Sequence, residues 1–266
     1  MLIIHDYTPT FYCIKPDTLV LRKFQINSKK LLIVNTNTLK TKIIKFTPNK
    51  TSCDTTTKYF KLLNYPSKFQ DAGITSSNKI TLTIDFCPSS KKGFDDKIFT
   101  FIIKKYKNPV PVTLFMTSLW AKHHKKEFLT LQKWQKEGKL DITWGNHTAT
   151  HPYKRYLPLK KNFVLIKGYN LKQDTLDMEK FYIENNITPS IFFRFPGLIS
   201  NQKTINQIKM LGLITIGSNT WLAKGEKIKN NSIILIHGNK NEERGVKIFL
   251  KDIKKIHTLS PLSSSI

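Results

Sequence analysis

Acidic side chains are scarce in this sequence. Eighteen Asp and Glu face 44 Lys and Arg, for a formal net charge of +26. A surface so cationic attracts polyanions at long range, and salt weakens the attraction. An anionic envelope polymer, nucleic acid or an anionic membrane surface would each suit that field. The lysines, however, are spread along the whole chain, and Asn and Ile are abundant throughout, so the balance reads first as composition. Cysteine is scarce too: Cys13, Cys53 and Cys87 form no CxxC pair, which excludes a zinc ribbon or a redox motif. Three cysteines give no disulfide framework, and a Cys13–Cys53 bridge stays open.

Long apolar runs are missing, so no segment reads as a membrane-spanning helix. The start, MLIIHDYTPTFYC, lacks the basic residues and apolar stretch of a secretory leader. Read as written, the protein is cytoplasmic, and an envelope or periplasmic location requires a different start. Helix-turn-helix, zinc-finger and RNA-recognition motifs are absent, so no specific nucleic acid partner is expected. What is present excludes disorder: 39% of residues are hydrophobic and 11% aromatic. A length of 266 residues accommodates one large domain, or one of ordinary size plus a small one.

Residues 1–78 differ from the rest. Short apolar or alternating runs at 19–24, 30–35 and 41–46 predict strands separated by turns, and helical spacing first appears at 59–63. Pro66, Gly73 and a Ser/Asn cluster mark a boundary before 79. From there strands are expected at 79–86, 112–116, 141–144, 191–194, 213–216 and 233–236. Helices are expected at 95–106, 126–136, 163–185 with a break near Gly168, 201–211 and 243–257. Strands alternating with helices predict an α/β fold with a parallel sheet or barrel. The layout is thus a β-rich segment of unknown role (1–78), an α/β domain (79–258) and a Ser-rich tail (259–266) expected to fray.

Chemistry-bearing side chains fall at strand ends. Asp85 ends the first strand of the alternating region, His147 and His151 follow the third, and Arg194 ends the fourth. Asn219 and Trp221 follow the fifth, and His237 ends the sixth. In α/β barrels the active site lies at the C-terminal ends of the strands, so these groups converge on one mouth. His147 and His151, four apart in GNHTATHPY, share a face if the segment is a helical turn, and could then hold one divalent metal. Asp85 interrupts the apolar run ITLTIDF, and a carboxylate there must be paired, metal-bound or solvated. Arg194, in FFRFPG, is its simplest partner. His237 closes IILIHG. By itself it reads as a core histidine bonded to a backbone carbonyl, and in a strand-end mouth it also suits a general acid.

HTATH resembles the H-[ST]-x-x-H metal motif of polysaccharide deacetylases, the fourth carbohydrate esterase family. LTIDF, FRFPG and LIHG stand in the order of that family's first, third and fifth motifs, so the resemblance covers residues 79–257. It implies a distorted (β/α) barrel of seven or fewer parallel strands and one divalent metal, zinc or similar. The implied reaction removes N- or O-acetyl groups from an N-acetylated glycan of the cell wall or envelope. By the same resemblance Asp85 is the catalytic base, His147 and His151 are metal ligands, Arg194 orients the base and His237 is the general acid. Trp221, Leu235 and Pro196 are the expected substrate-binding residues.

The sequence departs from the family pattern in two places. Phe86 stands where a second aspartate should be the third metal ligand. Asp85 itself is the favoured replacement, with Cys87 as an alternative that would select zinc, and Asp95 or Asp96 as residues that could fold back. In the fourth motif, Asn219 and Thr220 replace the expected acidic residues, which leaves His237 without an evident orienting partner. Competing readings are a hydrolase of small non-sugar amides and a catalytically silent glycan- or polyanion-binding protein.

Overall fold

A computed structural model describes residues 3–266. Residues 5–45 build a four-stranded antiparallel sheet in the order β1 (His5–Lys15), β2 (Thr18–Ile26), β3 (Ser28–Asn35) and β4 (Thr41–Lys45). Three of these strands coincide with the alternating runs of the sequence. β1 does not: only Cys13 is buried, it carries Pro9, and its pairing with β2 slips at several points. An edge strand tolerates a proline and needs no regular apolar face, so β1 left no pattern to find. Helix α1 (Lys58–Leu63) follows.

The remaining elements, in chain order, are β5 (Thr81–Phe86), α2 (Asp96–Lys105), β6 (Val110–Met116), α3 (Ser118–His123), α4 (Lys125–Lys136), β7 (Leu140–Asn146), α5 (Leu171–Glu184), β8 (Phe192–Phe193), α6 (Gln202–Met210), β9 (Ile214–Thr215), β10 (Thr220–Trp221), β11 (Ile233–His237), α7 (Glu243–Asp252) and α8 (Leu262–Ser265). Seven strands form one parallel sheet in the order β10-β11-β5-β6-β7-β8-β9, curled into an incomplete barrel with helices outside. The expected distorted (β/α) barrel with a small β-rich N-terminal segment is therefore the observed fold. The central strand β5 is buried at every position, as a strand covered on both faces must be.

Residues 70–76, within the stretch the sequence marks as a domain boundary, are bonded to the barrel. Ile74 bridges Ile216, and Ser76 bridges Ser232. Gly73 has a φ of +105°, and a Cβ there would lie 2.1 Å from the Thr215 carbonyl oxygen, so only glycine fits.

The N-terminal sheet shares its core with the barrel: Leu19, Leu21 and Tyr59 pack with Phe192, Ile214 and Ile216. Beneath it, Arg22 forms a two-pronged ion pair with Glu179 of α5 (2.8 and 2.9 Å), and the Tyr7 hydroxyl donates to the same carboxylate at 2.9 Å. Both charged partners are fully buried. A disulfide joins Cys13 to Cys53 across 40 residues, which decides the pairing that sequence alone left open.

Two expectations need correction. The tail is not frayed: Leu262 and Ser265 are buried, and the Asn78 N–H donates to the Ser265 carbonyl at 2.7 Å. Apolar anchors at Leu259 and Leu262 outweigh the serines. The single broken helix expected at 163–185 is a 3-10 turn (Phe163–Leu165) separated from α5. Gly168 lies at φ +83° between them, and the Asn170 side chain caps the Gln173 N–H. Among the described residues no helix is long and apolar enough to cross a membrane.

Candidate active site

Parallel strands put all their C-terminal ends on one rim, and Asp85, His147, His151, Arg194 and His237 meet there, whereas Asn219 bonds the start of β11. β5 pairs with β11 so that Asp85 stands beside His237. Asp85 is buried, and its Oδ1 accepts from Arg194 Nη1 at 2.7 Å. The Arg194 guanidinium, wholly buried, also donates to the Thr83 hydroxyl (2.8 Å) and the Gly217 carbonyl (2.8 Å), and lies 4.2 Å over the Phe115 ring. A planar fork so completely bonded fixes the carboxylate in one orientation. Burial raises the Asp85 pKa, but the Arg194 guanidinium, helped by the charge of His237, outweighs it and holds the carboxyl below its usual range.

The two histidines come together without a helical turn. β7 ends at Asn146, whose side chain donates to the Thr175 carbonyl and accepts the Thr148 N–H at 2.9 Å each. Thr148 (φ +66°) and His151 (φ +47°) are both left-handed, and the Thr148 hydroxyl accepts the His151 N–H at 3.0 Å. Asp174 of α5 holds Thr150 through its N–H and hydroxyl. Local side-chain bonds thus bend the segment and bring the imidazoles to 4.8 Å between centroids. Behind His151 stands Phe163, edge-on at 5.6 Å, and Gly197 (φ +62°) leaves it room: a Cβ there would sit 2.4 Å from the Phe163 ring.

His147 Nδ1 faces the Arg194 carbonyl at 2.8 Å, so Nδ1 carries the proton and Nε2 presents a lone pair. Burial drops the His147 pKa to about 4, which keeps the ring neutral. His151 Nε2 is buried without any hydrogen-bond partner. Cys87 Sγ lies 3.6 Å from His147 Nε2, and the ligand atoms of Cys87, His147 and His151 all lie within 4.8 Å of one another. A lone pair aimed into the cluster and an orphaned ring nitrogen are what a divalent metal would satisfy, so these residues fit one.

Strand parity explains the departure at Phe86. Successive side chains alternate, so Asp85 and Cys87 share one side and Phe86 takes the other. Phe86 is buried against Trp120, 4.4 Å between centroids. Burial raises the Cys87 pKa, but His151 and His237 outweigh it and bring the thiol to about 7. Asp95 is engaged with the Lys240 N–H (2.9 Å) and Asp96 is exposed at the start of α2, so neither folds back over the site.

His237 Nδ1 contacts Glu242 Oε2 at 2.8 Å, and the Trp221 indole N–H donates to the same oxygen at 2.9 Å. Burial disfavours a charged His237, but Cys87, Glu242 and Asp85 outweigh it and hold the pKa well above the usual histidine range. Glu242 is the partner that sequence reasoning missed. Asn219 and Thr220 do not reach His237: Asn219 ties the Ile233 N–H to the Asn231 carbonyl, and Thr220 bonds Ser232. A rare acid five residues past His237 was the available signal. Leu235 is buried on the His237 side of β11, and Pro196 opens a buried turn two residues past Arg194. A cleft of about 550 Å³ adjoins Trp221, lined also by Asp71, Gly197, Leu198, Asn219 and Glu226.

The family model for polysaccharide deacetylase matches residues 72–216, more than half of the chain, including Asp85, His147, His151 and Arg194. The chain belongs to the polysaccharide deacetylase family. Its fold resembles those of solved deacetylase-family structures. A family 4 carbohydrate esterase from Bacillus anthracis is 20% identical, with 70% of this chain and 81% of that chain covered and a TM-score of 0.51. Bacillus subtilis PdaA, a family 4 carbohydrate esterase, is 18% identical, with 73% and 84% covered and a TM-score of 0.50. The family match stops before Trp221, Leu235 and His237, so the β11 side of the site rests on geometry.

Proposed function

We propose that this protein is a metal-dependent hydrolase that removes acetyl groups from an N-acetylated envelope or cell-wall polysaccharide. The observation that carries the reading is the meeting of Asp85–Arg194, His147–His151 and His237–Glu242 at one rim of a deacetylase-family barrel. Two acid–base groups flank a pair of imidazoles, which is the set that metal-assisted amide hydrolysis needs.

His147 and His151 would hold the metal. When bound it would polarise the acetyl carbonyl and stabilise the charge that develops on its oxygen. Asp85 accepts the proton of the attacking water, kept ionised and aimed by Arg194. His237 donates a proton to the departing sugar nitrogen, since an amine leaves poorly as an anion. Glu242 holds the His237 ring with Nδ1 toward the carboxylate, which turns Nε2 toward the reacting atoms. Leu235 lines the acetyl methyl pocket, and Trp221 with the adjoining cleft carries the sugar chain, an amphipathic ligand suited to an aromatic and polar lining. Pro196 shapes the turn on the opposite wall.

The test is acetate release from partly N-acetylated and O-acetylated glycans, wild type against Asp85→Asn. Release is expected from wild type, with a loss of about 10²–10⁴-fold in the variant, the usual contribution of a general base. Equal rates in the two proteins would remove Asp85 from the chemistry.

A further inference from the structure

We infer that Cys87 supplies the third metal ligand, as a thiolate, so that this chain's site is Cys87–His147–His151 and Asp85 stays outside the coordination shell. The inference rests on the metal-dependent reading above and names the donor which that reading leaves open.

Four observations converge on the sulfur. Cys87 shares the Asp85 side of the strand end, whereas Phe86 is committed to the core. Its Sγ stands 3.6 Å from the free lone pair of His147. Zinc–sulfur and zinc–nitrogen bonds of about 2.3 and 2.0 Å at a tetrahedral angle separate the donors by roughly 3.5 Å, so this pair is already near bonding distance. The partnerless His151 Nε2 completes the triangle. Finally, the Cys87 backbone is fixed, its carbonyl accepting from Asn239 Nδ2 at 2.7 Å.

Asp85 is placed less well for the role. Its Oδ1 is bound to Arg194, and its Oδ2 lies 3.8 Å from His147 Nε2. Drawing this carboxylate onto the metal would compete with the guanidinium that orients it as a base. A thiolate beside two imidazoles also sets metal preference. Soft sulfur favours zinc or cobalt over manganese or magnesium, unlike a carboxylate in that position.

The experiment loads chelator-stripped full-length protein with Co²⁺ alone and records its absorption spectrum. Wild type is expected to show a near-ultraviolet sulfur-to-cobalt charge-transfer band. Cys87→Ser should lose the band and bind Co²⁺ at least about tenfold more weakly, since even an outer-shell partner contributes that much. Cys87→Asp should recover affinity without the band, which separates a lost ligand from a damaged fold. Co²⁺ binding without the band, and with the same affinity in Cys87→Ser, would overturn the assignment. Acetate release in that case leaves the deacetylase reading standing and points to Cys87 as unneeded or as a nucleophile. Failure of wild type to bind Co²⁺ or Zn²⁺ at all would overturn both.

Discussion

Glu242 Oε2 lies 2.8 Å from His237 Nδ1 and accepts the Trp221 indole proton at 2.9 Å. One carboxylate oxygen thus joins the proposed acid to the aromatic wall of the proposed substrate cleft. Removing its charge while keeping its shape isolates that relationship. Glu242→Gln is expected to lower kcat by up to about 10²-fold, the lower end of what a general acid contributes, with little change in KM. Steady-state kinetics on an acetylated glycan checks it. A rise in KM at constant kcat would show that Glu242 serves binding through Trp221 rather than orientation of His237.

The buried pair Arg22–Glu179 makes the N-terminal sheet part of the catalytic barrel's stability. Glu179 also accepts from Tyr7, so Glu179→Ala strands a buried guanidinium. Breaking such a pair costs about 3–5 kcal/mol. Denaturant unfolding of wild type and variant is expected to show that loss in a single transition. Two separate transitions would show that the sheet folds independently of the barrel.

Cys13 and Cys53 should be found bonded and Cys87 free. Thiol titration of the denatured, unreduced protein is expected to give one reactive thiol, and three after reduction, given three cysteines and one bridge. Reduction should cost about 2–4 kcal/mol of stability, for a loop of this length. Three thiols before reduction, in protein handled under oxidising conditions, would contradict the pairing.

The parallel sheet was legible because its strands are buried on both faces and its helices carry apolar residues at helical spacing. Thr81–Phe86 and Asp96–Lys105 both follow that rule. The edge strand His5–Lys15 was hidden because an exposed edge needs no apolar face. Thr220–Trp221 was hidden because it lacks the apolar run that marks the equally short Phe192–Phe193 and Ile214–Thr215. In the site, Asp85, Arg194 and His237 stood out as polar residues closing apolar strands. Cys87 and Glu242 did not decide themselves in the sequence, because their roles depend on distances across the rim. The same holds for His147 and His151. Spacing of four suggested a helical turn, whereas Asn146, Thr148 and Asp174 build a left-handed bend that brings the rings together by another route.

The most direct measurement is acetate release from an N-acetylated glycan by protein stripped of metal with a chelator and then given back Zn²⁺. The stripped protein should be silent, and Zn²⁺ should restore release in wild type but not in His147→Ala. Undiminished release from the stripped protein, or none from protein shown to hold Zn²⁺, would contradict it.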